Sequence, residues 1–175
     1  NKSKIDRLNR GDVPIYEPGL KEIIQHNEEQ KRLFFSMPDG DVIAAADIIF
    51  ICVGTPPCEE GSADLCAIWA SAQDIGQSIA GYTLVVTKST IPVGTTAKVE
   101  EFIRDELKKR GSDAVFDVAN NPEFLKEGNG IDDFMSPDRV IVGTSSEKVK
   151  DIMQHLYAPF FRTEQRIIFM SIPSS

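Results

Sequence analysis

Two glutamates stand four residues apart in "NNPEFLKEG", residues 120–128, directly after an apolar run. At that spacing Glu123 and Glu127 are expected on one face of a helical turn, with Pro122 tolerated at its start. Two carboxylates in one cleft can be held at different pKa values, so that one acts as a base while the other orients water or substrate. The same pair also fits two solvated glutamates flanking Lys126.

Two other stretches could do chemistry. In "KSTIPVGTT", residues 88–96, Lys88, Ser89 and Thr90 arrive together at the end of an apolar run. A cation beside two hydroxyls suits a nucleotide or an oriented water. It equally suits a snorkelling lysine and hydroxyls that satisfy backbone groups. The glycines of a phosphate-binding P-loop are missing before it. In "VGTPP", residues 53–57, Gly54 permits close backbone approach, Thr55 offers a hydroxyl and Pro56-Pro57 stiffens the exit. An ordinary strand-to-loop turn would read the same way.

All three stretches follow segments that read as strands. "IIFICV" (48–53) is a continuous apolar run, expected as a strand buried on both faces, with Cys52 buried within it. "YTLVVT" (82–87), "AVFDVA" (114–119), "RVIVG" (139–143) and "RIIFM" (166–170) are expected as the further strands. Helical spacing separates them. Leu20, Ile23 and Ile24 mark a helix after Glu17-Pro18-Gly19. A second carries Leu65, Ile68, Trp69, Ala72, Ile75 and Ile79, with Asp64 as its N-cap. A third carries Val99, Phe102, Ile103 and Leu107 and stops at Gly111. The last carries Val149, Ile152, Met153, Leu156 and Tyr157, with Thr144 and Glu147 as a capping box. Strand-helix alternation with uncharged strands predicts an α/β fold, an open, mostly parallel sheet with helices on both faces. Such sheets bind ligands beyond the carboxyl ends of their strands, which is where the three stretches fall.

The bulk properties narrow the classes. The chain has 175 residues, 41% hydrophobic and 26% charged, with a net charge of −8 and a pI near 4.8. It has no basic face for nucleic acid. No apolar run approaches the roughly 20 residues of a membrane span, and no signal peptide opens it. Cys52, Cys58 and Cys66 lack metal-ligand spacing and suit reduced thiols, so a cytoplasmic location is expected. Cys58 reads as the most exposed of the three. His26 and His155 fall on helical patterns and give neither a zinc site nor a Ser-His-Asp triad a basis.

Five segments in register, "KIDRLNRGDVPIYEPGL", "VGTPP" with "GSADL", "KSTIPVGTT", "NPEFLKEG" and "DDFMSPDRVIVG", make the chain resemble the UDP-glucose/GDP-mannose dehydrogenase family. The resemblance covers nearly the whole chain, residues 1–175, as one partial NAD-binding domain. It implies a Rossmann-like fold lacking the first βα unit. It also implies oxidation of the primary C6 alcohol of a nucleotide sugar to a carboxylate with two NAD+, through thiohemiacetal and thioester intermediates on a cysteine.

Roles follow by the same resemblance. Glu123 matches the general base/acid, Thr90 the holder of the catalytic water, and Glu127 a residue near nicotinamide and substrate. Glu123, Phe124, Leu125, Lys126 and Glu127 match a sugar-nucleotide contact segment. Val53, Gly54, Thr55, Pro56 and Pro57 match a loop along the dinucleotide, bordered by Ser89 and Thr90, and Lys4 matches a basic residue on its adenosine side. None of the three cysteines matches the nucleophile, and the chain contains no G-x-G-x-x-G. Asn129-Gly130 departs from an alanine-containing helical stretch. "SPDRVIVG" leans toward UDP-glucose. GDP-mannose, a UDP-N-acetylhexosamine and a non-catalytic nucleotide-binding or assembly module are the alternatives. The full-length protein is expected to be a homo-oligomer, and these 175 residues alone are expected to be inactive.

Overall fold

The computed structural model describes residues 1–161 and 167–175. Its elements are α1 (Lys2–Leu8), α2 (Leu20–Glu29), α3 (Gly40–Ala44), β1 (Ile48–Ile51), α4 (Cys66–Ser78), β2 (Tyr82–Thr87), α5 (Thr95–Lys109), β3 (Val115–Asn120), α6 (Gly130–Met135), β4 (Val140–Gly143), α7 (Glu147–Tyr157) and β5 (Ile167–Met170). They form two compact units, one of residues 40–123 and 139–175, the other of residues 1–39 and 124–138.

The larger unit carries a five-stranded sheet in the order β1-β2-β3-β4-β5. All pairings are parallel except β3 with β4, which meet antiparallel at Asn120 and Gly143. Strand alternation sorts the side chains into two layers. Ile49 and Ile51, Val85 and Thr87, and Val118 and Asn120 share one face. The apolar residues among them pack with Ile68, Ala72 and Ile75 of α4 and Val99, Ile103 and Leu107 of α5, whose three- and four-residue spacing builds one stripe per helix. Each such valine, leucine or isoleucine, when fully buried, stabilises the fold by about 1.5–3 kcal/mol. Ile48 and Phe50, Tyr82, Leu84, Val86 and Lys88, and Asp117, Ala119 and Asn121 turn to the other face. There α7 places Lys148 Nζ 3.0 Å over the Tyr82 ring and bonds Asn121 through Tyr157. Helices therefore cover both faces, as the alternation predicts.

Several elements differ locally from expectation. β1 ends at Ile51, of its residues only Ile51 is fully buried, and Cys52 is exposed. Among the described strands β1 pairs only with β2, so it lacks the cover of a central strand. The Asp64 carboxylate does cap α4, accepting from Cys66 N at 2.9 Å, but from one position before the cap residue Leu65. The Thr144/Glu147 capping box does not form. Ser146 caps α7 by accepting from Val149 N at 3.4 Å, Thr144 Oγ1 accepts from Ser146 N at 3.2 Å, and Glu147 pairs with Lys150 at 2.6 Å. β3 runs one residue later than expected, and Arg166 lies outside the described residues.

The smaller unit holds α1, α2 and α6. Asn1 caps α1, and Gly19, at φ 81°, opens α2, which buries Ile24 and leaves Ile23 exposed. No helix among the described residues is long and apolar enough to cross a membrane.

Candidate active site

In the larger unit the carboxyl ends of β1, β2 and β3 lie side by side. Backbone bonds join them. Lys88 N and Ser89 N both donate to Ile51 O, at 2.9 and 3.2 Å, and Asn121 N donates to Thr87 O at 2.9 Å. Side chains then tie the first two loops. The Ser89 hydroxyl donates to Val53 O at 2.7 Å and Ile51 O at 3.3 Å, and Thr55 Oγ1 donates to Thr90 O at 2.8 Å. Of the two roles the sequence leaves open for these hydroxyls, Ser89 and Thr55 serve the backbone. Thr90 is exposed. Beyond Gly54 a short antiparallel bridge, Pro57 with Ala63, folds the chain back, with Asp64 N donating to Pro56 O at 2.8 Å.

Lys88 sits between these strand ends, half-buried. Desolvation holds its ammonium below the usual lysine range, opposed by charge on Cys52 and Glu123. Glu123 thus lies within electrostatic reach of Lys88, and it is exposed. Behind it, Asn121 is 1% exposed and is held by Tyr157 Oη at 2.6 Å and by its own amide donating to Ile141 O at 2.8 Å. That brace fixes the end of β3 from which Glu123 projects.

The expected helical turn joining Glu123 and Glu127 is not formed. Residues 121–126 are irregular, Glu127 and Gly128 form a turn, and the two glutamates belong to different compact units. Asn121 N is committed to Thr87 O of β2, and its side chain to Ile141 O of β4 and Tyr157 of α7, so the segment leaves the sheet anchored at its first residue.

In the smaller unit the segment that the resemblance implies for sugar-nucleotide contact is pinned through its backbone. Lys126 N donates to Asp133 Oδ2 at 3.0 Å, Gly128 N to Glu17 Oε2 at 3.0 Å and Gly130 N to Glu17 Oε1 at 2.6 Å. Asn129 Nδ2 reaches Asp133 Oδ1 at 2.8 Å. Those contacts hold the Asp133 carboxyl below the usual range, the Lys126 N–H most, then Asn129. Phe124, Leu125, Lys126 and Glu127 are all exposed around this turn, as is Lys4 on α1. The Asn129-Gly130 departure is accommodated, since α6 simply begins at Gly130.

Two of the thiols, Cys52 and Cys66, are held away from ionisation. Although Cys52 is exposed by surface area, desolvation by the atoms packed around it pushes its thiol up despite Lys88, and Asp64 pushes Cys66 up. Cys58 is half-buried, less exposed than Cys52 and Cys66, because its N–H is drawn into the turn by a 2.7 Å bond to Ser62 O. The Nδ1 of His155 contacts Asp151 O of its own helix at 2.7 Å. Among the described residues no cluster of His, Cys, Asp and Glu could hold a metal ion.

The loop 53–57, where the resemblance implies NAD, leaves its backbone open at one point. Gly54 is exposed, with open space where a Cβ would stand, so a ligand can lie against its backbone. Sequence reasoning missed Glu17, Asp133, Asn121 and Tyr157. Glu17 lies inside "YEPGL" and Asp133 inside "DDF", both quoted above, but nothing local tells that either carboxylate serves a distant backbone.

Residues 1–161 match the model of the UDP-glucose/GDP-mannose dehydrogenase family, NAD binding domain. The chain is 44% identical over 170 residues to a UDP-glucose 6-dehydrogenase of Pseudomonas aeruginosa, covering 97% of this chain and 38% of that protein. It is 43% identical over 160 residues to the UDP-glucose 6-dehydrogenase TuaD of Bacillus subtilis, covering 91% and 34%. Among solved structures, a UDP-glucose dehydrogenase from Pyrobaculum islandicum superposes with a TM-score of 0.87 at 35% identity. A ternary complex of a GDP-mannose dehydrogenase from Pseudomonas aeruginosa superposes with 0.89 at 30%. Each comparison covers 99% of this chain and 40% of the other. The chain therefore spans well under half the length of these relatives. With the match extending over nearly all its residues, it belongs to the UDP-glucose/GDP-mannose dehydrogenase family and corresponds to that family's NAD-binding domain.

Proposed function

We propose that this chain is the NAD-binding part of an enzyme that oxidises UDP-glucose to UDP-glucuronate. The observation that carries the reading is the meeting of three strand ends, with Glu123, beyond β3, in electrostatic reach of Lys88, the residue that precedes Ser89 and Thr90. When bound, NAD+ supplies the hydride acceptor. The chain's own residues divide the remaining work. The loop 53–57 and Ser89 border the cofactor. Glu123 takes the hydroxyl proton as carbon is oxidised, and Thr90 orients water for the later hydrolysis. Phe124, Leu125, Lys126 and Glu127 contact the nucleotide sugar. The nucleophilic cysteine belongs to another part of the protein, since none of Cys52, Cys58 and Cys66 matches the family's nucleophile.

UDP-glucose is favoured over GDP-mannose by the identities of 44% and 43% to proteins named UDP-glucose 6-dehydrogenase, against 30% to the GDP-mannose enzyme. The test supplies the full-length protein with NAD+ and, separately, UDP-glucose, GDP-mannose and UDP-N-acetylmannosamine, and follows NADH. Two NADH per UDP-glucose is the expected result. Turnover only with another sugar reassigns the substrate, and none with any sugar leaves a binding or assembly role. The 175 residues alone are expected to give no turnover.

A further inference from the structure

Three backbone N–H groups at alternate positions, Lys126, Gly128 and Gly130, all end on carboxylates, the first on Asp133 and the other two on Glu17. Asp133 is local, seven residues from Lys126. Glu17 comes from 111 residues earlier in the chain and spends both of its oxygens on this one turn. The turn needs an outside acceptor. Gly128 stands at φ 81°, and Asn129 at the cap of α6 makes no side-chain cap bond to the helix, its amide going to Asp133 instead. Gly130 N would otherwise be one of the unsatisfied donors that open every helix. Glu17 is itself fixed in place. Its carbonyl accepts from Leu20 N at 3.1 Å, and the next glycine, Gly19, at φ 81°, comes close enough that a Cβ there would meet Ile131 Cδ1 at 3.7 Å.

We propose that Glu17 is a positioning residue for the nucleotide sugar: its carboxylate sets the backbone of the 126–130 turn and so fixes how the segment 124–127 is presented to substrate. The inference rests on the function proposed above, which assigns that segment to substrate contact. Charge-assisted bonds to two N–H groups of one turn are stronger and more directional than neutral ones. Neither bond involves Glu127, whose side chain stays exposed on the turn. Glu17 acts by ordering the segment and does not touch the substrate.

The experiment uses the full-length protein with Glu17→Ala, Glu17→Gln and, as reference, Glu127→Ala. The expected result for Glu17→Ala is a rise of about tenfold in KM for UDP-glucose with an unchanged dissociation constant for NAD+, measured by direct binding. Glu17→Gln falls between, because its amide oxygen still accepts one N–H while its NH2 faces the other. Hydrogen exchange across residues 124–135 speeds up in Glu17→Ala, and that of residues 82–87 does not. A Glu17→Ala protein with lowered stability but unaltered KM overturns the inference, leaving Glu17 a purely structural cap. If Glu127→Ala leaves both KM and kcat unaltered, the assignment of the segment fails instead.

Discussion

Tyr157 Oη donates a 2.6 Å hydrogen bond to the side chain of Asn121, joining the last residue of α7 to the first residue after β3 with both groups buried. Burial, and secondarily Cys52, push the Tyr157 hydroxyl up to about 12. A tyrosine that ionises later in the folded than in the unfolded chain contributes stability that is whole below its unfolded value near 10. That contribution drains away as pH rises from there through about 12. Urea unfolding of the wild type should show the loss, and Tyr157→Phe should lose less over the same range. The residual slope is shared by Tyr82, also pushed up by burial and by Asp117, and by the raised Cys52 and Cys66 thiols, with the lowered Lys88 ammonium opposing them. At pH 8 Tyr157→Phe should cost about 1–3 kcal/mol, because Asn121 is left short of a donor. Equal stability of the two proteins would show that the bond is not made in solution.

Gly76 is where α4 and α5 touch. A Cβ there would stand 2.6 Å from Glu106 Cβ and 3.2 Å from Ile103 O. Alanine would gain about 1 kcal/mol of helix propensity, yet it must push the two helices apart within the core. Gly76→Ala is expected to be net destabilising by about 1–2 kcal/mol, read from the midpoint of a denaturant curve. A stabilised variant would mean that the interface yields at no cost.

If Glu123 is the base, Glu123→Gln in the full-length protein should lower kcat by roughly 10²–10⁴, the range of a lost general base, with NAD+ affinity unchanged. Thr90→Val should lower it by about tenfold, the worth of one hydrogen bond to a water. Stopped-flow and steady-state measurement of NADH formation separate the steps. A Glu123→Gln enzyme with wild-type kcat would remove Glu123 from the chemistry.

Asp133 provides a pH test of the pinned turn. Its carboxyl is held low by the Lys126 N–H and by Asn129, so its contribution to stability is full above the ordinary value of 3.8 and is lost as pH falls through the lowered one. Carboxyl NMR should find Asp133 titrating below an ordinary aspartate, and Asn129→Ala should move it partway back. An ordinary value in the wild type would mean that the turn is not held by Asp133.

Much of this protein is written locally. The apolar runs of β2 and β4 and the stripes of α4, α5 and α7 follow from burial, which acts on residue type and period and so can be read from sequence. The strand-end stretches 53–57, 88–96 and 120–128 are likewise visible, because glycine, proline and clustered polar residues interrupt apolar runs. Tertiary structure alone decided what those polar groups do. Ser89 and Thr55 spend their hydroxyls on neighbouring carbonyls, Asn121 is committed to Tyr157 and β4, and Glu17 crosses 111 residues to hold one turn. Hydrogen bonds need partners at fixed distance and angle, and sequence neighbours do not specify which distant donor will be there. For the same reason the even spacing of Glu123 and Glu127 misled. An i,i+4 pair faces one way only in a helix, and here residues 121–126 are irregular and Glu127 lies in a turn.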